Sequence, residues 1–531
     1  MVLRFESINP QSRSTLWTVN RWLTQIVFLA SVLLWLLLLF VAVEHLRGTW
    51  ALNRRLDGLK SRGEVLSIAA LEPKRPSRGQ NAAIDLMSLS NRLETAMSNL
   101  DNTPPALRLA SPGHAIVAWR LKEWSRDRTT TNDWNRVEEE LGNTRELLDV
   151  IHQALEKPSF NSGFDYQRGF VNFQMAPIAA LRRAAQLLSI AEICELSKGR
   201  METAHEDLSA LIKLVAIQRP EPLLISQVVR QTCAVYAFNA TWQSLQTNGW
   251  TDSQLASLQS AWQTCDFAHD LASAMEMERA LSLDFYEQIQ NSDEKLTLAL
   301  NDREKMGEMT DGVLGGLATR GFVLKFIHVP VWRAAWADQG ELFELNEWQV
   351  MIERERIART NGWAVLEGQF DSAGRALPWA PFLEGKAKVG WYDKARLLFV
   401  TENSGINDSM IRRELSIQTQ QQMALAAIAI ERYRLKKGRI PSELAALVPE
   451  VLSVLPRDYM DGKPLRYRLV SNGGFQLYSV GQDGKDNGGD PTSRAGASHR
   501  PQIWDGRDAV WPTPATTEEA EKSLRLEGKD Q

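Results

Sequence analysis

The stretch LYSVGQDGKDNGGD, residues 477–490, closes a strand-like run and passes into a loop of aspartates, glycines and one asparagine. Carboxylate and amide oxygens at that density suit a hard cation, yet the same composition describes a solvated polar turn, and the spacing does not match an EF-hand. Composition alone leaves both readings open. Other chemistry is sparse: the chain has no G-x-S-x-G elbow, H-E-x-x-H, Walker A or dinucleotide glycine fingerprint. Its 7 histidines are scattered, with no pair at metal-ligand spacing. Glu276 and Glu278 beside Arg279 come nearest to an acid and a base. Residues two apart on a helix do not face each other, so solvated or ion-paired side chains are expected there. The 18 tryptophans, among them Trp119, Trp124, Trp134, Trp332, Trp336 and Trp348, could line a ligand groove, but packing of cores and interfaces is the simpler account. Cys194, Cys233 and Cys265 each sit in an apolar or helical pattern without C-x-x-C spacing, which reads as buried small hydrophobes rather than a disulfide or zinc framework.

The elements that carry these residues divide sharply. WLTQIVFLASVLLWLLLLFVAV, residues 22–43, has no charge and is long enough to cross a hydrocarbon core of about 30 Å as a helix. Glu44, His45 and Arg47 follow it where a small-x-small cleavage site would stand, so a retained single-pass anchor is expected. Arg4, Arg13 and Arg21 precede the span, while Arg47, Arg54, Arg55, Lys60 and Arg62 follow it. That bias opposes an external C-terminus, but long domains translocate regardless of such charges. With 531 residues the chain has material for more than one folded unit. Its formal net charge of -4, with both signs interspersed, offers no basic face for phosphates, so nucleic acid is not an expected partner.

Residues 44–133 read as linker and short helices, with connectors at LEPKRPSRGQNAA and NTPPALRLASPGH. Residues 134–411 read as a helical domain, opening with one helix over 134–156. Apolar positions recur at three- and four-residue steps through Ile178, Leu181, Ala185 and Leu188, then through Ala204, Leu208, Leu211 and Val215, predicting a hairpin across Gly199. A third helix is expected over about 223–245, and Thr251 with Gln254 has the form of a capping box. Stacked helical hairpins result, without a sustained repeat period. The glycine-rich segment from Gly312 to Trp336 suits either a membrane surface or a packed core.

From Arg412 the pattern changes to a helix ending at Gly438, a short helix after Pro441, and two strands, LRYRLV and FQLYSV, joined through Ser471–Gly474. The stretches IERYRLKKGRIPSELAAL, DGKPLRYRL and FQLYSVGQDGKDNGGD with the later DAVW resemble the C-terminal globular part of the major pseudopilins of bacterial type II secretion systems. The overall layout also resembles uncharacterised bacterial single-pass membrane proteins. The pseudopilin resemblance implies a small α+β domain over 412–512 and a structural calcium ion, with oxygens supplied by Asp483, Asp486, Asn487, Asp490 and Asp508. No glycine precedes the span and no glutamate lies within it, so the module is expected as a reused surface or interaction domain rather than a filament subunit. Residues 513–531 read as a charged, disordered tail.

The expected protein is therefore mainly α, with a transmembrane helix, a helical-hairpin domain and a small pseudopilin-like α+β domain. Residues 1–21 would be cytoplasmic, the anchor would lie in the bacterial inner membrane, and the bulk of the chain would be in the periplasm. It would work as an envelope scaffold or protein-binding protein, through a protein partner or self-association, rather than as an enzyme. The alternative is a periplasmic hydrolase or ligand-binding receptor with a pocket between helical units.

Overall fold

The computed structural model describes residues 10–100, 104, 108–125, 131–169, 178–305, 327–373, 391–399, 408–471, 473–494 and 502–530. Most of the segment from Gly312 to Trp336 lies outside them. The chain is mainly helical and divides into two compact units, one of Met1–Glu64, Ser282–Asn346 and Ala387–Thr401, the other of Val65–Leu281, Glu347–Lys386 and Glu402–Gln531.

In the first unit α1 (Pro10–Ser61) is one uninterrupted helix. Its apolar window is wholly exposed, and among the described residues it alone is long and apolar enough to cross a membrane. A helix that is apolar all round needs an apolar solvent on every side. The helix runs on past Val43 to Ser61, so the stretch expected as linker and short helices begins as a continuation of α1. The other apolar cluster of this unit gathers Tyr286, Ile289, Leu296, Trp332, Trp336 and Phe399, with Val41 of α1 packed against it.

The second unit holds α2 (Ile68–Leu71), α3 (Ala82–Ser88), α4 (Ser90–Asn99), α5 (Trp134–Gly142) and α6 (Arg145–Leu155). The predicted single helix over 134–156 is thus two. At the break the Thr144 hydroxyl donates to the Leu141 carbonyl at 2.9 Å, a local bond that competes with the helical ladder. α7 (Ala179–Ser197) and α8 (Met201–Ile217) form the expected hairpin, and Gly199 takes the left-handed φ of 72° that its turn requires. α9 (Leu224–Ser244) packs on both. α10 (Asp252–Gln263) starts with the Thr251–Gln254 capping box. α11 (Phe267–Asn291) begins in this unit and leaves it, α12 (Asp293–Lys305) belongs to the first unit, and α13 (Ala337–Asn361) returns. α14 (Trp363–Ala373) comes next, with α15 (Trp391–Arg396) in the first unit.

The C-terminal module is built on α16 (Asp408–Lys437) and an antiparallel sheet ordered β5 (Arg466–Leu469), β6 (Phe475–Ser479) and β7 (Ala509–Val510). Tyr467 pairs with Leu477 and Arg468 with Gln476, as the hairpin pattern predicts. The module is not a separate core. α16 is buried on almost every side, packs on α9 and α10, and shares one apolar cluster with the helical hairpins. Its glutamines join the neighbouring helices: the Gln418 carbonyl accepts from Phe267 N at 2.7 Å, and the Gln421 amide donates to Trp262 O at 2.7 Å. A segment cut at Arg412 would bare that surface to water.

A further departure concerns the tail. β1 (Leu109–Ser111), β2 (His114–Ala115) and β8 (Thr513–Pro514) form a small sheet in which β8 runs parallel to β2. β3 (Glu123–Ser125) pairs with β4 (Thr131–Asp133). After β8 comes α17 (Thr517–Asp530), so residues expected to be disordered form a strand and a capped helix. Thr516 and Glu519 exchange side-chain-to-backbone bonds at 3.2 and 2.9 Å, a capping box. The Glu519 carboxylate also accepts from Ser111 Oγ at 3.0 Å and lies 2.8 Å from His114 Nδ1, tying the tail to the β1–β2 turn.

Candidate functional site

The loop after β6 is built around Asp508, which is fully buried. Its carboxylate accepts from the backbone N–H groups of Asn487 at 3.1 Å, Gly489 at 2.7 Å and Asp490 at 3.0 Å. Gly489 is favoured here because it takes a left-handed φ of 79°, and a Cβ would also displace the Gln476 side chain, whose Oε1 would lie 2.6 Å away. Asp486 accepts from Gly488 N at 3.0 Å, Tyr478 OH at 3.2 Å and Arg466 Nε at 3.3 Å. Asp490 accepts from Thr492 N at 3.0 Å, and Asp483 closes its own turn on Lys485 N at 3.0 Å. The Asn487 amide is spent on Lys485 O.

The fold therefore brings Asp486, Asn487 and Asp490 around Asp508 and leaves Asp483 apart. What converges is a set of N–H and guanidinium donors, whereas calcium needs six to eight oxygens, at about 2.3–2.6 Å, facing one centre. Among the described residues no group of three or more His, Cys, Asp or Glu could hold a metal ion. These residues do not fit calcium in this arrangement; they fit a carboxylate-pinned turn. Asp508→Ala should cost about 2–3 kcal/mol by removing the acceptor of three N–H groups, of which that of Gly489 is buried, and Asp483→Asn almost nothing. Urea unfolding of the full chain reads both, and equal losses at the two positions would sink this account.

Glu276, Glu278 and Arg279 are dispersed. Glu276 pairs with Arg356 at 2.7 Å, Glu278 accepts from Leu224 N at 3.1 Å at the start of α9, and buried Arg279 donates to Gln349 and to Val65 O. The tryptophans are dispersed as well: Trp124 and Trp134, Trp348, and Trp332 with Trp336 belong to three different apolar clusters. They do not line one groove.

Sequence reasoning missed a buried polar group at the meeting of α9, α11, α13 and α16. Arg230 of α9 is fully buried over the ring of Phe267, 4.5 Å from its centroid. It donates to Val215 O at 2.9 Å, Gln227 Oε1 at 3.1 Å and Asp270 Oδ2 at 2.7 Å. Glu414, also fully buried, accepts from Gln231, and its Oε1 has no hydrogen-bond partner among the described residues. Burial pushes the Glu414 carboxyl up to about 8, against the pull of Arg230. Glu355, held by Arg359 at 3.1 Å, and Glu278 are each pushed up to about 7, again by burial. Carboxyls in this state can hold a proton at neutral pH and donate rather than accept. Any sequence signal was weak, because charged residues on helices usually mark the solvated face.

The surface offers two features. α9, LISQVVRQTCAVYAFNATWQS, carries a single charge, Arg230, and that charge is inside. Of its residues that are not buried, Ile225 and Val235 are exposed and Val228 and Thr232 half-buried, while Val229 and Tyr236 are half-buried and pack against the core. An open groove of about 630 Å³ lies between α4, α5 and α6, lined by Asn91, Arg92, Glu140 and Leu147 among others. Comparison with known proteins gives no family model, no curated protein and no solved structure that matches the chain, and so adds no support to the pseudopilin likeness.

Proposed function

We propose that this chain is a single-pass, membrane-anchored scaffold or protein-binding protein of the bacterial envelope, whose second unit presents the outer face of α9 to a protein partner. The observation that carries this reading is the uncharged stripe on α9. A surface helix ordinarily sets charged residues against water. One that keeps Ile225 and Val235 there, and turns its only charge inward, is suited to an apolar partner surface. The inner-membrane anchor is α1, and the pseudopilin likeness of residues 412–512 favours the periplasm for the chain beyond that helix.

A photo-crosslinking residue at Val235 should give a discrete adduct in native membranes, which Ile225→Glu should abolish while leaving circular dichroism unchanged. The same probe at exposed Val454 should not give it. Identical adducts from both positions would remove the basis for the proposal, and an adduct at the mass of two chains would identify the partner as a second copy. A reporter active only outside the cytoplasm, fused after Gln531, should give signal; signal only from a cytoplasm-active reporter would overturn the periplasmic placement.

A further inference from the structure

We propose that the segment Ile327–Trp336, together with the exposed stripe of α1 just beyond the span, rests in the interfacial layer of the bilayer and binds lipid at the boundary between headgroups and acyl chains. The inference depends on α1 being a membrane span. It starts from where the segment is fixed. Trp336 meets Phe40 edge to face at 6.1 Å between ring centroids, and Val41 packs into the cluster that holds Val329, Trp332 and Trp336. Phe40 and Val41 belong to the last turn of the apolar run. Just beyond it, the Gln339 amide donates to Glu44 O at 3.1 Å and to the Glu44 carboxylate at 2.8 Å, and Tyr392 OH donates to the same carboxylate at 2.9 Å. The segment is thus attached at the depth where the span ends.

Its free face is apolar. The stretch Val329–Val331 continues into a π-helical turn, Trp332–Trp336, in which Trp332 and Trp336 point inward. Ile327, Pro330 and Ala334 are left exposed at helical spacing, Ile327 by 54%. Arg333 is turned aside onto Asp293 at 2.5 Å and Ile289 O at 3.1 Å. Ile327 and Trp332 are five positions apart, about 8 Å of helical rise. The headgroup region adds only about 5–7 Å to each side of the hydrocarbon core, so Ile327 stays in or beside that layer whichever way the segment tilts.

α1 contributes the matching strip. Val43, Leu46 and Trp50 succeed one another at helical spacing beyond Phe40, with Leu46 69% and Trp50 62% exposed. The guanidinium of Arg54 lies 5.2 Å from the Trp50 ring centroid. Apolar side chains that continue the span, an indole at its edge and arginines one to two turns farther on suit the passage from acyl chain to phosphate.

The test uses the full chain in vesicles of phosphatidylethanolamine and phosphatidylglycerol. Single cysteines Ile327→Cys, Leu36→Cys and Val454→Cys are labelled with an environment-sensitive fluorophore under native conditions; Cys194, Cys233 and Cys265 are buried. Spin-labelled lipids carrying the quencher near the headgroup or deep in the acyl chain then report depth. Expected is about twofold or greater quenching at Ile327→Cys by the shallow quencher, with the deep quencher weaker, and none at Val454→Cys. Leu36→Cys should respond to the deep quencher; if it does not, the span itself fails. If Leu36→Cys responds and Ile327→Cys behaves like Val454→Cys, or is quenched best from the bilayer centre, the interfacial placement is overturned.

Discussion

Arg230→Ala should lower the unfolding free energy of the full chain by about 3–4 kcal/mol, because it breaks a buried ion pair from one side only. Asp270 keeps Arg219, whose Nε lies 3.0 Å from Oδ2, but Arg219 is partly exposed and does not fill the space over Phe267. The Val215 carbonyl also loses its donor. Removing both charges together is a different experiment. Arg230→Met with Asp270→Asn keeps volume and leaves no fully buried charge unpaired, because Arg219, the other partner of Asp270, is partly exposed and still donates to Thr264 O at 2.8 Å, so the double variant should recover much of the loss. Urea unfolding followed by far-UV circular dichroism measures the cycle. An Arg230→Ala variant within about 1 kcal/mol of the parent would show that the pair is solvated or dispensable.

Arg230 also shows where the sequence was readable and where it was not. The hairpins from α7 to α10 were legible because apolar residues recur at three- and four-residue steps and some helix ends are marked, by Gly199 at one turn and by Thr251 with Gln254 at another. The β5–β6 hairpin was legible by alternation, although Leu469 at its end is exposed rather than packed. α16 was legible as a helix but not in its surroundings. Gln418 and Gln421 look like a solvated face, yet they are buried and satisfy backbone groups where α10 gives way to α11. A side chain that caps another helix leaves no period in its own segment. Thr516 and Glu519 did carry a sequence mark, the T-x-x-E box, which the charge of the surrounding tail obscured. The Asp/Gly loop was legible as a turn; which atoms face inward depends on Asp508, eighteen residues beyond Asp490, and no local spacing encodes that.

Stability should fall as pH rises from about 5 to 8, by at least about 4 kcal/mol, the reverse of a protein held together by paired carboxylates. The unfolded chain releases protons from Glu278, Glu355 and Glu414 near the ordinary value of 4.5, whereas burial moves them to about 7, 7 and 8 in the folded chain. Between those limits the folded state binds more protons than the unfolded state, so each step up in pH favours unfolding. The stabilisation is complete below about 4.5 and is lost as pH passes through 7 to 8. His152 adds to the trend in the same direction: its Nε2 stands 2.8 Å from Asp207 Oδ1, which raises it above 6.5, so its contribution is present below 6.5 and fades above. The charges facing Glu414 are Arg230, Asp270 and Glu355; only the first opposes the shift. Glu414→Gln replaces a protonated carboxyl by a neutral amide of the same shape. It should therefore leave stability at pH 5 nearly unchanged, raise it at pH 8, and flatten the slope between them. Equilibrium unfolding at pH 5, 6, 7 and 8 for both proteins settles the point, and a parent curve that is level or rises toward pH 8 would mean that these carboxyls are ionised inside the fold.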